Sequence, residues 1–248
     1  MMGAIEAYRD DLAYVHDVGF AGHARHAARF VLECLRENGI AGGLVVDLAC
    51  GGGLMAEPVA NAGYDVLGID ISPAMIERAR RRVPGGRFIV GSLLNAELPA
   101  CAAVTVIGEG INYLFDPANC KEGVAALFQR AFDAMSAGGL LILDSAGPGR
   151  IPGSGTAKSH FEGVDWAVLV DSEEDRIAHT LTRRITTFRL AGEHYRRDHE
   201  VHRLRLYPEE DVTQMLRGAG FSVRTVRAYG ELDLPAGLTG FVARKPEA

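Results

Sequence analysis

The chain has 248 residues, 48% of them hydrophobic, and balances 26 Lys plus Arg against 32 Asp plus Glu for a formal net charge of −6. That length buries a full hydrophobic core without a disulfide or metal staple, and the acidic balance gives no global basic field to hold a nucleic-acid backbone. The four cysteines, Cys34, Cys50, Cys101 and Cys120, form no C-x-x-C pair, and no apolar run approaches the ~18 residues of a membrane span, so a cytoplasmic protein without a signal peptide is expected.

Residues 1–23 mix aromatic and charged side chains, among them Tyr14, His16 and Phe20, and read as a partly ordered arm or lid. From residue 24, Ala24, Ala27, Ala28, Val31 and Leu35 recur at helical spacing, and Asn38-Gly39 ends the helix. Leu44-Val45-Val46-Asp47-Leu48 is a continuous apolar run of the kind a buried strand carries, and three glycines follow it. Val66 to Asp70 forms a second strand, and Ser72-Pro73 then offers a cap and a first-turn proline for a helix that buries Met75, Ile76 and Ala79. Residues 88–90, 103–107 and 140–144 are strands three to five, with a longer helix between the last two stopped by Gly138-Gly139.

Strands alternating with helices at this pace predict an α/β, Rossmann-like, mostly parallel sheet with right-handed crossovers. The pattern changes at residue 147. A Gly- and Pro-rich loop over 147–157 leads into strand-like pieces that continue to residue 206 and predict an antiparallel β insertion after strand five. A helix opening at Pro208 and two final strands, joined by a loop too short for a crossover, predict a C-terminal antiparallel hairpin completing seven strands. The expected organisation is therefore an arm over 1–23, a core over 24–146 and 207–248, and an insertion over 147–206 that covers the site.

Glycines between a strand and a helix allow close backbone approach to a ligand, and the helix start offers free N–H groups. Asp70 closes the second strand, where a carboxylate can hold both hydroxyls of a ribose. Asp47 lies near the other end of such a cofactor and suits an ammonium better than a pyrophosphate. Gly51-x-Gly53-x-x-Ala56 also fits a loose dinucleotide fingerprint. Asp47 and the missing second βαβ half count against an NAD-dependent oxidoreductase.

Asp47-Leu48-Ala49-Cys50-Gly51-Gly52-Gly53 resembles the acidic-x-x-x-Gly-x-Gly signature of class I S-adenosylmethionine-dependent methyltransferases of small molecules, close to the methyltransferase domain 25 and 11 groups. The resemblance spans residues 24–146 and 207–244. It implies S-adenosyl-L-methionine as cofactor and S-adenosyl-L-homocysteine as product. It also implies contacts from Asp47, Ala49, Gly51, Gly53 and Asp70, with Ile71 and Met75 flanking the adenine. Ser92 and Leu93 follow strand three, where the family commonly has an acid for the adenine amino group; a hydroxyl there still accepts a hydrogen bond but lacks the charge. Tyr14 and Phe20 match an aromatic arm over the cofactor, and Gly108 and Glu109 the loop facing the methyl.

Glu109, Asn112 and Tyr113 are the catalytic candidates: Glu109 could bind the cofactor ammonium, orient an acceptor or act as base, or it could only cap a turn. On strand parity, Arg197, His199, Val201, Arg203 and Arg205 share one face that could receive an anionic acceptor, or be a solvated surface. No His set has metal-ligand spacing. The expected partner is a small amine or hydroxyl acceptor, not a membrane and not RNA, with the protein a monomer or homodimer. A cofactor-binding protein without turnover is the further alternative.

Overall fold

The structure, a computed structural model, describes residues 7–247. Five strands follow the expected order: β1 (Leu44–Leu48), β2 (Asp65–Asp70), β3 (Arg87–Val90), β4 (Cys101–Val106) and β5 (Met135–Ala146). After the insertion come β10 (Ser222–Val226) and β13 (Leu238–Arg244), separated by the two-residue strands β11 (Ala228–Tyr229) and β12 (Leu232–Asp233). The seven-stranded sheet has the order β10-β13-β5-β4-β1-β2-β3, with β13 antiparallel to both of its neighbours. The predicted fold class holds.

Side-chain parity builds the two faces of this sheet. Val46, Leu48, Val104, Val106, Leu141 and Leu143 point to one side, where α5 (Lys121–Ala134) and α6 (Glu209–Gly218) pack. Val45, Ala103, Leu140 and Ile142 point to the other, against α2 (Ala21–Glu37), α3 (Ala56–Asn61) and α4 (Pro73–Arg82). Strands buried on both faces need no polar alternation, which is why β1 and β4 read as plain apolar runs. Ser72 caps α4 as expected, its Oγ accepting from Met75 N–H at 3.2 Å.

The expected arm is instead helical. Residues 1–6 lie outside the described residues. Asp10–Gly19 form α1, and α2 begins at Ala21 rather than at residue 24. Two acids in the first turn of α1, Asp10 and Asp11, favour that start through the helix dipole. Its apolar edge, Leu12 and Val15, packs on Trp166, Val168 and Ile185 of the insertion.

The insertion is a four-stranded antiparallel sheet of β6 (Thr156–Glu162), β7 (Trp166–Asp175), β8 (Thr180–Ala191) and β9 (His194–Arg205), in that order. β6 begins inside the stretch expected to be loop, which ended at residue 157. Every one of its residues is exposed, so it carries no burial pattern to read. The sheet is sewn to the loop after β4: Leu114 N–H donates to Arg203 O and Arg205 N–H to Asn112 O, both at 2.8 Å. It therefore stands over the carboxyl ends of the parallel strands, with α1 between it and the core.

Candidate active site

The strand order reverses at β1, between β2 and β4, and open α/β sheets place ligands outside the carboxyl ends at such a point. Here the backbone leaves β1 through two left-handed residues, Ala49 (φ 54°) and Gly51 (φ 53°). A non-glycine in that region carries strain that the surroundings must hold, a common mark of binding loops. Gly51 N–H donates to Asp70 Oδ2 and Ser72 N–H to Asp70 Oδ1, each at 2.8 Å. Asp70 thus ties the glycine loop to the end of β2, and its carboxylate has acceptor capacity beyond these bonds. Burial raises its pKa, and the backbone N–H bonds only partly oppose this.

A cavity runs from Asp70, Ile71 and Met75, past Ser92 and Leu93, to Gly108, Tyr113 and Phe115. A second is lined by Phe20, His23, Asp47 and Met55. The two share His16, Ala49, Gly51, Ile107 and Gly108 as lining, so they are two arms of one trough. Asp47 lies in the second arm. Its Oδ1 accepts from Thr105 Oγ1 at 2.9 Å, while its buried Oδ2 has no partner. Burial, less the Thr105 bond and plus the Asp70 charge, pushes its pKa from 3.8 up to about 7. His23 sits in the same arm, with Nε2 3.0 Å from Asp144 Oδ2. Burial disfavours its charged form, but the bond to Asp144 together with the Asp144 and Glu109 charges raises its pKa.

The loop after β4 departs from expectation at two of its three catalytic candidates. Glu109 has its carboxylate taken by two guanidinium groups: Arg150 Nε donates to Oε1 at 2.7 Å, and Arg183 Nη1 to Oε2 at 2.7 Å. Burial would raise its pKa, but the two arginines overcome that and hold it at about 2. A carboxylate so held is neither a proton acceptor at neutral pH nor free for an ammonium. Asn112 is fully buried. Its amide donates to Ala146 O and Arg205 O and accepts from Ala146 N–H, so it joins β5 to β9 and reaches no ligand. Tyr113 does line the trough, its hydroxyl 2.9 Å from that of Tyr8 and 3.3 Å from Arg183 Nη1. Gly110 allows the loop to lie close, since a Cβ there would stand 2.7 Å from Val106 and 2.9 Å from Ala49.

Of the expected cofactor contacts, Ala49, Gly51, Asp70, Ile71, Met75, Ser92, Leu93 and Gly108 line the first arm, and Phe20 and Asp47 the second. Gly53 lines neither; it abuts Ala79 of α4, where a Cβ would be 3.2 Å away. Tyr14 is also displaced. Its hydroxyl bonds to Asp165 and its ring lies 3.1 Å from the Arg189 guanidinium, within the contact between α1 and the insertion.

The β9 parity argument picked the outer face. Arg197, His199, Val201, Arg203 and Arg205 are exposed, whereas Glu200, His202 and Leu204 are buried. Glu200 can be buried because its carboxylate accepts from Tyr8 N–H at 2.8 Å and Arg9 N–H at 2.9 Å and bonds His202 Nε2 at 2.9 Å. Sequence reasoning placed His16 in the arm without a role, and did not single out Tyr8, Asp116 and Asn119 in the lining or Glu200, Arg150 and Arg183 behind it. Only α1 carried a usable signal: its acidic first turn followed by Leu12, Val15 and His16 at three- and four-residue spacing. Among the described residues no His, Cys, Asp and Glu cluster forms a metal site.

Residues 45–139 match a family model described as "Methyltransferase domain". That segment carries a methyltransferase domain. YqeM of Bacillus subtilis (strain 168), called a methyltransferase with no stated acceptor, is 28% identical over 199 residues, covering 75% of this chain and 76% of that one. In fold, the chain is similar to an S-adenosylmethionine-dependent methyltransferase from Clostridium acetobutylicum ATCC 824, with a TM-score of 0.80, 18% identity and coverage of 94% and 97%. It is also similar to the sugar N-methyltransferase KedS8 from Streptoalloteichus sp ATCC 53650, with a TM-score of 0.75, 24% identity and coverage of 100% and 99%. Both structural matches extend over the insertion as well as the core. S-adenosylmethionine is the cofactor named for the Clostridium acetobutylicum enzyme.

The residues present fit that cofactor. Asp70 offers acceptor capacity beside an apolar slot of Ile71 and Met75, and the unpaired Oδ2 of Asp47 lies in the other arm of the trough, suited to an ammonium. The methyltransferase also has no helix, among its described residues, long and apolar enough to cross a membrane.

Proposed function

We propose that this methyltransferase transfers a methyl group to the nitrogen or oxygen of a small molecule. The observation that carries the reading is the single trough with two chemically distinct arms, covered at their junction by His16 of α1, a helix that packs on the insertion. A roof of secondary structure over the trough suits a small acceptor and leaves little room for a folded macromolecule. On this reading the strand ends and their loops hold the cofactor, and the insertion, none of whose residues lines either arm, acts by seating α1 and the Glu109 loop rather than as a wall of the acceptor space.

S-adenosylmethionine, when bound, supplies a methyl on a sulfonium, and the electrons of the broken C–S bond return to sulfur. Asp70 would hold the ribose hydroxyls, Ile71, Met75 and Leu93 the adenine, with Ser92 beside it, and Asp47 the ammonium. Gly108, without a side chain, leaves the junction open where the two arms meet. Tyr8, Tyr113 and Phe115 then face the acceptor space. Closing it excludes water and aligns the nucleophile, which is the larger part of what an in-line displacement requires. Behind Tyr113, Arg150 and Arg183 both bond the single carboxylate of Glu109, which leaves that cluster one net positive charge.

The test is transfer of a labelled methyl from S-adenosylmethionine to a panel of neutral amines, phenols and sugar amines. Turnover of at least one class, with S-adenosylhomocysteine formed in equal amount, is expected. Cofactor binding with no transfer to any of them, and transfer to an RNA or protein instead, would replace this reading.

A further inference from the structure

His16 is the one side chain of α1 that lines both arms of the trough. It reaches the junction because α1 crosses the cleft with Leu12 and Val15 anchored on the insertion, which turns position 16 toward the core. Its ring packs edge-on to Tyr8, centroids 5.2 Å apart, and near Phe20 at 6.4 Å. Neither ring nitrogen has a hydrogen bond, and Nδ1 is buried without a partner. Among the groups around it, Asp47 Oδ2 and His202 Nδ1 are likewise without a partner, but Asp47 bonds Thr105 through its other oxygen and His202 bonds Glu200 through Nε2. Asp17 is paired with Arg82 at 2.8 Å, His23 with Asp144, His202 with Glu200, and the Tyr8 and Tyr113 hydroxyls with each other.

Burial pushes the His16 pKa down to about 4, the Asp17 charge opposing and His202 and His23 adding to the fall. The ring is therefore neutral at working pH, with one nitrogen free to accept. A neutral imidazole does not repel a sulfonium, and a buried acceptor without a donor is costly until a ligand supplies one.

Resting on the proposed methyl transfer, we propose that His16 accepts the hydrogen bond of the nucleophile's N–H or O–H at the point of transfer, and so is a catalytic residue that selects acceptors bearing such a donor. With that hydrogen held toward His16, the nucleophile's lone pair points to the methyl. As the new N–C or O–C bond forms and the C–S bond breaks, the proton becomes acidic and is released through the imidazole to solvent.

The acceptor need not be known to test this. Sinefungin carries an amine where S-adenosylmethionine carries its methylated sulfur, so its N–H groups occupy the transfer point. Calorimetric titration of wild type, His16→Phe and His16→Gln with sinefungin and with S-adenosylhomocysteine separates the contact from the rest of the site. The expected result is about a tenfold or greater loss of sinefungin affinity in His16→Phe, with S-adenosylhomocysteine affinity kept and His16→Gln largely restored. In the wild-type protein, sinefungin but not S-adenosylhomocysteine should shift the His16 ring ¹⁵N resonance toward a hydrogen-bonded value, a readout that needs no variant to fold. Equal changes for both ligands, or no change for either, together with an unmoved resonance, would overturn the role of His16. Failure of wild type to bind either ligand would instead remove the methyl-transfer reading beneath it.

Discussion

At the residue scale, two buried carboxylates respond to pH in opposite directions. Asp47 has its folded pKa raised to about 7 from 3.8. In the free protein its contribution to stability is complete below pH 3.8 and is lost as pH rises toward 7, because the unfolded chain ionises first. An ammonium beside Oδ2 reverses the preference, so ligand binding releases a proton. We expect S-adenosylhomocysteine affinity to rise between pH 5 and pH 7, with proton release visible as a dependence of calorimetric enthalpy on buffer ionisation. The Asp47→Asn variant should lose both effects; an unchanged pH profile in that variant would show that Asp47 does not face the ammonium. Glu109 behaves the other way. Its pKa is held at about 2 against an ordinary 4.5, so its contribution is present above 4.5 and is lost as pH falls toward 2. Glu109→Gln leaves two guanidinium groups without their counter-ion and should cost about 3–5 kcal/mol in denaturant unfolding. A loss of turnover with stability intact would return Glu109 to the list of bases.

At the element scale, α1 and the insertion stabilise each other. Trp166 lies against Gly19 and Gly163, and a Cβ on either glycine would stand under 3 Å from its ring. Trp166→Ala should therefore cost about 3–5 kcal/mol, read by circular dichroism during denaturation, and should weaken cofactor binding by loosening α1. Arg197→Ala and Arg203→Ala, on the outer face, should leave stability within about 0.5 kcal/mol. A large effect of either would place that face in the site after all. What could be read from sequence follows the same division. β1, β4 and the glycine loop announce themselves because burial on both faces and close backbone approach leave few residue choices. Ser72-Pro73 gave the start of α4 for the same local reason. The inward face of β9 was not legible. Glu200 and His202 look like surface residues until the backbone of Tyr8 and Arg9, distant in sequence, is seen to satisfy them. Glu109 and Asn112 misled for a related reason: a polar loop after β4 reads as chemistry, and only the tertiary partners Arg150, Arg183 and Arg205 show it holding the insertion in place.

At the scale of the whole molecule, the parallel sheet fixes the trough, and α1, seated on the second sheet, closes it. Asp70 joins the loops that follow β1 and β2, and the proposed function makes it the ribose ligand that selects the cofactor. Calorimetric titration of the wild-type protein and Asp70→Ala with S-adenosylhomocysteine and with NAD tests this most directly. The wild-type protein should bind S-adenosylhomocysteine in the micromolar range and ignore NAD, and Asp70→Ala should lose about 1.5–3 kcal/mol of that affinity. Tighter binding of NAD, or an unchanged dissociation constant in a folded Asp70→Ala protein, would contradict it.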